Sequence, residues 1–394
     1  MNRRTLLGSA LIGGAATAAS AASAAQSAAP RASGRTGPLN LITDVEGIKI
    51  GQAHDAGVRT GVTVILAEKP AVAAVDVRGG GPAGRETDVL KPENLVQEVD
   101  AIVLSGGSVY GLASGDGIAA WMGMRGRGYG MGGAPGVPPS PIVPTACLYD
   151  LANGGNKKWE MDPPYRRLAV EALEAAGDRF DLGTAGAGYG AEAGALKGGI
   201  GSASALMANG WTVGAIVAVN SVGAVVAPGG KTFWAAPFEI GDEYGGLGSA
   251  GLAASAEDWG LSKGRARPRE NTTLACIATD VALTRVECQR LAIMAQDGMA
   301  RAIRPSHAPF DGDTLFCLST GKKEITDPAM RQVAVAQLGN VAADVLARAI
   351  ARGVYHATNY EGATGQTWRE FSSTFLPTLW GGGPQSGGGG GTDV

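Results

Sequence analysis

Short apolar runs rich in Val and Ile alternate with glycine-rich turns along most of this chain, and only a few segments carry a helical period. Runs of this length, bounded by Gly, Pro and Asn, read as β-strands. They fall at 47–52, 61–67, 71–77, 101–105, 212–220, 222–227, 273–279 and 314–319. The helical segments are fewer and longer. One follows Ser105-Gly106-Gly107-Ser108 and covers 108–124; a second covers 165–177, after Pro163-Pro164. A third begins at Thr284 with Glu287 three residues on, a capping box. A fourth begins at Asp327-Pro328, an N-cap followed by proline at the first helical position. It carries Ala334, Leu338, Val341 and Val345 on one face and stops near Gly353. Strands grouped by short turns, with a few long helices, predict an α/β fold of two layered sheets flanked by helices. The helices are too widely spaced for a regular βαβ array, which disfavours a Rossmann fold.

Glycine supplies 63 of the 394 residues, without a Gly-X-Y period, so collagen is excluded. A hydrophobic share of 45% against 18% charged residues is the reverse of a disordered composition. The formal net charge of -3 argues against an electrostatically driven nucleic-acid binder. Four cysteines (Cys147, Cys276, Cys288, Cys317) form no disulfide framework, and three histidines without CxxC or HExxH make a dedicated zinc site a poor reading. Nothing calls for a cofactor.

The two ends read differently from the middle. In residues 1–30, Arg3 and Arg4 precede an apolar run from Leu6 to Ala16, and Ala22-Ser23-Ala24 offers a cleavage site. Paired arginines before Thr-Leu-Leu look like a twin-arginine export signal, with an ordinary secretory signal as the alternative. Either way a mature protein beginning near 25–40 is expected in the periplasm or outside the cell, with no membrane association once the signal is gone. Residues 125–140 are a Gly/Pro loop, 153–164 and 228–270 also read as loop with a short helix at 253–258, and 381–394 is a low-complexity tail.

Familiar catalytic signatures are missing: there is no GxSxG elbow, P-loop or kinase motif. Clusters such as Gly79-Gly80-Gly81 and Gly186-Ala187-Gly188 carry little weight in so glycine-rich a chain. His54, His307 and His356 are scattered and read as structural, although His307 lies just before an acidic motif. Two segments remain. Pro268-Arg269-Glu270-Asn271-Thr272-Thr273 follows a basic loop (Lys263, Arg265, Arg267, Arg269) and runs into the apolar 273–279 strand. Phe310-Asp311-Gly312-Asp313-Thr314 runs into the 314–319 strand. Carboxylates two residues apart project the same way in extended chain and could orient an amine or share a proton. Taken alone, each segment is equally a turn or a strand-entry loop.

Taken together, ENTTLACIATD and PFDGDTLF resemble the DmpA-type aminopeptidase family, which includes β-peptidyl aminopeptidases, L-aminopeptidase/D-amidases and nylon-oligomer endo-hydrolases. DVRGGGPAGRETDVL (76–90), LSGGSVYGLASGDG (104–117), LKGGIGSAS (196–204) and VAVNSVG (217–223) are also similar, so the resemblance spans roughly 40–355. It implies a single αββα four-layer sandwich of N-terminal-nucleophile type that cuts itself between Asn271 and Thr272. The chain would then consist of a signal (1–30), an α subunit (31–271), a β subunit (272–380) and a glycine-rich tail (381–394). Many aminopeptidase members carry serine at the cut; threonine here, with the Asp-Gly-Asp form, is closer to the nylon-oligomer hydrolases. The resemblance makes Thr272 nucleophile and base, Asn220 the oxyanion-hole amide, and Asp311 and Asp313 the pair that orients the new amine. Tyr149 resembles a tyrosine of the same region, and Lys197 lies in the Gly/Ala-rich stretch where the nylon hydrolases carry a lysine. It also implies an oligomer of αβ units acting on a small peptide or amide.

The chemistry is consistent with these residue types. A threonine hydroxyl is a poor nucleophile without an adjacent base. A freed α-amine, with an ordinary pKa of about 7.7–8.0, is such a base on the same residue. Two other classes stay open on residues alone. One is acyl transfer of the ornithine-acetyltransferase type, which an export signal disfavours; the other is a secreted glycine-rich binding protein.

Overall fold

The computed structural model describes residues 34–130, 135–250, 252–263, 271–360, 362–363 and 365–375. The stretch expected to be an export signal, the basic loop beyond Lys263 and the glycine-rich tail lie outside the described residues. Among the described residues there are eleven strands: β1 (Ile48–Asp55), β2 (Thr60–Val77), β3 (Ala83–Arg85), β4 (Glu98–Ser105), β5 (Thr145–Cys147), β6 (Glu192–Ala193), β7 (Leu196–Lys197), β8 (Gly199–Leu206), β9 (Thr212–Asn220), β10 (Thr272–Val281) and β11 (Thr314–Lys323). The helices are α1 (Ala113–Met124), α2 (Tyr165–Glu174), α3 (Arg285–Ala295), α4 (Asp297–Ala302), α5 (Arg331–Tyr355) and α6 (Trp368–Ser373).

The main sheet runs β3-β5-β4-β2-β11-β10-β9-β8, with β1 also paired to β2. The long strand β2 bends it into two layers. Its first half pairs with β1 and its second half with β11, and its register against β4 shifts between Leu66 and Ala71. Pro70 sits at the bend with Glu68 and Lys69, all three exposed, where a residue without an N–H is tolerated. The runs at 61–67 and 71–77, expected as two strands, are therefore one.

Side-chain alternation sorts the core into three sheets of apolar contact. Ile65, Ile102 and Leu104 from one half of the sheet meet Ile216, Leu274, Cys276, Phe316 and Leu318 from the other half. The opposite faces of the first half, Val62, Val64, Ala101 and Val103, pack on Ile118 and Met122 of α1 and Leu168, Ala169 and Ala172 of α2. Val213, Ala215, Val217, Ala275, Ile277 and Leu315 pack outward on α3, α4 and α5. The order is helix, sheet, sheet, helix, the four-layer αββα arrangement.

Local signals explain most boundaries. The Thr284 hydroxyl accepts from the Glu287 N–H at 3.3 Å while the Glu287 carboxylate accepts from the Thr284 N–H at 2.8 Å, closing the capping box of α3. Asp327 caps the turn that leads into α5. Three further features depart from the sequence expectation. Residues 222–227 are a buried loop bridged to Arg304 and Phe233, not a strand, because their partners come from loops. Residues 253–258 are not helical. Strand β8 escapes the apolar-run criterion because it is built of Gly, Ser and Ala. A Cβ at Gly201 would lie 1.8 Å from the Ala349 carbonyl oxygen, so the small residues are what let the backbone of α5 lie on the sheet.

Arg348 of α5 is buried and clamps both Glu243 oxygens, at 2.6 and 2.8 Å, while also donating to Ser204 O and Asn40 Oδ1. This bidentate pair joins the 34–44 segment, β8 and the 240s loop to the helix. All four cysteines are buried and unpaired.

Candidate active site

β10 and β11 run parallel and adjacent, with Leu274 opposite Thr314. The segments that feed them therefore start side by side, and Asn271 forms a bridge with Asp311 just ahead of the sheet. On its other side β10 pairs with β9, with Thr272 opposite Asn220. Residues opposite one another in an antiparallel pair project to the same face. Topology thus brings together Asn271, Thr272, Asp311, Asp313 and Asn220, which lie up to 93 positions apart in the chain (313 minus 220).

The geometry centres on the Asn271 carbonyl. Its oxygen accepts from the Gly312 N–H at 3.0 Å, and the Thr272 hydroxyl rests on the same oxygen. Thr272 is buried. Asp313 Oδ1 accepts from the Thr273 N–H at 2.8 Å. Asp313 Oδ2 accepts from the His307 N–H at 3.1 Å and meets His307 Nδ1 at 2.8 Å. Asp311 Oδ2 accepts from the Ala308 N–H at 2.8 Å. Burial, and next the nearby charge of Asp313, push the Asp311 carboxyl up to about 6, against the pull of the Ala308 and Val222 N–H groups and His307.

Glycines make this close approach possible. A Cβ at Gly312 would sit 2.4 Å from the Thr272 hydroxyl, and one at Gly79 would sit 2.3 Å from the Asp313 nitrogen. Gly79 N–H donates to Asp313 O and Gly81 N–H to Asp311 O. The Gly79-Gly80-Gly81 cluster, uninformative as a motif, is the bed on which the acidic loop lies.

Asn220 is fixed at both ends of its amide: Oδ1 accepts from the Glu192 N–H at 2.9 Å and Nδ2 donates to the Tyr149 carbonyl at 3.0 Å. Tyr149 thus meets Asn220 through its main chain, and its residue also forms part of a cleft beside Thr272. That cleft, about 380 Å³, is walled by the 81–84 turn, Ser108, Val109, Leu112, Cys147, Tyr149 and Thr272. Among the described residues, none that lines this wall is charged.

Lys197 is buried and donates to the carbonyls of Ala191, Gly198 and Gly188 at 2.9, 3.1 and 3.3 Å. Burial pushes its amine down to about 7. These contacts do not include Thr272; Lys197 reaches the site through the 188–192 turn, whose Glu192 N–H holds Asn220. Of the histidines, His54 stacks on Tyr189, and His356 is pushed down to about 4, chiefly by burial. Only His307 touches the candidate residues. Its position before the acidic motif was the one available signal, and no spacing rule could show that the 307–313 loop folds back on itself. Among the described residues no group of three or more His, Cys, Asp or Glu side chains could hold a metal ion.

Solved structures with these layers include two aminopeptidases. A β-aminopeptidase of a Burkholderia species superposes with a TM-score of 0.64 at 22% identity, over 87% of this chain and 94% of that one. The L-aminopeptidase D-Ala-esterase/amidase of Ochrobactrum anthropi, a variant of the Ntn-hydrolase fold, gives 0.62 at 20% identity, over 86% and 94%. The fold is that of the N-terminal-nucleophile hydrolases. Residues 40–368 match the sequence profile of peptidase family S58, and the chain belongs to this family. An uncharacterized aminopeptidase of Mycobacterium tuberculosis is 42% identical over 334 residues, 81% of this chain and 94% of the relative. A 6-aminohexanoate-oligomer endohydrolase of Paenarthrobacter ureafaciens is 29% identical over 326 residues, 79% and 85%. The protein is a hydrolase of peptide or amide bonds, an S58-family aminopeptidase or amidohydrolase.

Two outcomes follow from the site geometry. Gly312→Ala forces its new methyl against the Thr272 hydroxyl, so activity should fall at least tenfold while the thermal midpoint drops by only a few degrees, about 1–3 kcal/mol of overpacking. Retention of full activity would mean the loop yields freely. Asp311→Asn should stabilise the folded chain at neutral pH. The raised Asp311 pKa means that the fold favours the protonated acid, a contribution complete below about pH 4 and lost as pH rises through about 6. Urea unfolding in a Thr272→Ala background should show a gain of about 3 kcal/mol at pH 7 that shrinks towards zero at pH 4; an equal gain at both pH values would refute this origin.

Proposed function

We propose that the chain is a self-processing threonine amidohydrolase, cut between Asn271 and Thr272. The observation that carries this reading is the Thr272 hydroxyl lying on the Asn271 carbonyl while the Gly312 N–H polarises the same oxygen. In the first step Thr272 Oγ1 attacks the Asn271 carbonyl carbon. The C–N bond breaks, the nitrogen gains the hydroxyl proton, and an ester joins the two residues. Water then opens the ester, leaving a carboxylate on Asn271 and restoring the Thr272 hydroxyl beside a free α-amine.

Turnover repeats this chemistry on a substrate amide. The Thr272 amine takes the hydroxyl proton as Oγ1 attacks, then passes it to the leaving amine. Asp311 and Asp313 hold that amine, and Asn220 with neighbouring N–H groups stabilises the oxyanion; losing one such donor costs about 2.7–4 kcal/mol in hydrolases where it has been measured. The acyl-enzyme is released by water. Tyr149 and Lys197 support Asn220 from behind.

The uncharged lining of the cleft among the described residues supports substrates with a neutral acyl part, and the similarity to 6-aminohexanoate-oligomer endohydrolases supports internal cleavage of oligoamides as the second reading. Intact-mass analysis of purified protein should give fragments of about 24–28 and 12–13 kDa, at about 0.1 kDa per residue. Thr272→Ala should remain one inactive chain; if it still splits at this bond, the proposal falls. A panel of amino-acid amides, N-acylated amides, β-peptides and 6-aminohexanoate oligomers on the processed enzyme separates terminal from internal cleavage. Arg3 and Arg4 support a further proposal, export by the twin-arginine route: replacing both with lysine should retain the protein in the cytoplasm, and undiminished export would favour the general secretory route.

A further inference from the structure

We infer that His307 is a positioning residue of this active site, acting on Thr272 through Asp313; the inference rests on the threonine reading above. Its ring Nδ1 and its own main-chain N–H both converge on Asp313 Oδ2, at 2.8 and 3.1 Å. That convergence comes from an unusual backbone. His307 has φ of 59°, in the left-handed region, which turns the residue back towards the loop that follows it. Asp313 is left with its other oxygen, and Oδ1 accepts the Thr273 N–H at 2.8 Å. The relay is therefore His307 to Asp313 to the amide immediately after the nucleophile.

The arrangement has a clear physical purpose. A carboxylate can swing about its terminal torsion, which is a broad, soft rotor. Asp313 is buried, so a swing would leave the Thr273 N–H without a partner. Two donors on Oδ2 remove that freedom. In the tautomer with the proton on Nδ1, the one a carboxylate partner favours, the ring donates to Asp313 Oδ2. His307 also acts on the second acid, lowering the pKa that burial and Asp313 raise at Asp311. The ring's hydrogen bond is to Asp313, and its Nε2 is buried without a hydrogen-bond partner among the described residues. Its contribution therefore runs through the acidic pair rather than through substrate.

The full-length enzyme tests this, with rates expressed per processed chain. His307→Ala should lower kcat about 10–100-fold, the cost of about an ångström of misplacement, and leave KM within about twofold. His307→Asn should recover most of the loss, since its Nδ2 donates from the place of Nδ1 and asparagine tolerates the left-handed backbone. In an Asp313→Asn background, His307→Ala should have no further effect. Wild-type kcat in His307→Ala, an asparagine variant as slow as the alanine variant, or losses that simply multiply with Asp313→Asn would each overturn the inference. Should the alanine variant not fold, the asparagine variant decides alone: near-normal kcat upholds the relay, and a loss as deep as that of Asp313→Asn removes it. The underlying reading fails separately, by splitting of the Thr272→Ala chain.

Discussion

A parallel pair of strands sets everything at this site. Because β10 and β11 start level with one another, the residues just ahead of each must lie side by side, whatever their side chains. The Gly312 N–H then has the Asn271 carbonyl as its partner, and Asp313 falls beside the Thr273 N–H. Main-chain pairing sets the first relation before any side chain is chosen, and it places Asp313 where its side chain can make the second. The antiparallel neighbour β9 adds Asn220 at the matching register. The core layers on both faces of β10 hold the register in place, since a one-residue slip would exchange Leu274 and Cys276 with Ala275 and Ile277 between two differently packed layers.

How far the residues alone disclose this differs from one element to the next. Apolar β-branched runs mark β1, β4, β9, β10 and β11 because each buries Val, Ile or Leu on at least one face. Thr284 with Glu287 and Asp327 with Pro328 mark helix starts because capping is local chemistry. β8 is hidden because its small residues answer to the helix lying on them, which is a tertiary fact. Pro70 suggests a break that the sheet absorbs as a bend. At the site, Asn271-Thr272 and Asp311-Gly312-Asp313 read equally well as turns; it took the resemblance of several segments together to connect them, and topology to bring them into contact. Lys197, linked by resemblance only to the stretch where the nylon hydrolases carry a lysine, makes its hydrogen bonds to the turn behind Asn220. His307 and Gly312 owe their importance to loop geometry that no spacing encodes.

The site also concentrates features that a merely stable protein avoids. Asp311 is buried near a second carboxylate, and His307 adopts a backbone conformation uncommon outside glycine. Both Asn271 amide atoms and Asp311 Oδ1 are buried without partners among the described residues. Each departure costs free energy. The rest of the molecule supplies the frame: apolar layers, the capped helix α3 and a bidentate Arg348–Glu243 pair.

The central place of β10 has one more consequence. Its first residue lies between two hydrogen-bonded neighbours, inside the sheet and not at its edge. The proposed cut would thus divide the covalent chain without dividing the fold, since each piece supplies strands that the other needs as partners. Folding, unimolecular for the precursor, would become an association of two molecules once the cut is made. The midpoint of reversible unfolding would then depend on protein concentration, and chains that unfolded after maturation would have to find a partner before they could regain the sheet. Such an enzyme assembles once, while still joined, and thereafter relies on slow unfolding rather than on easy refolding.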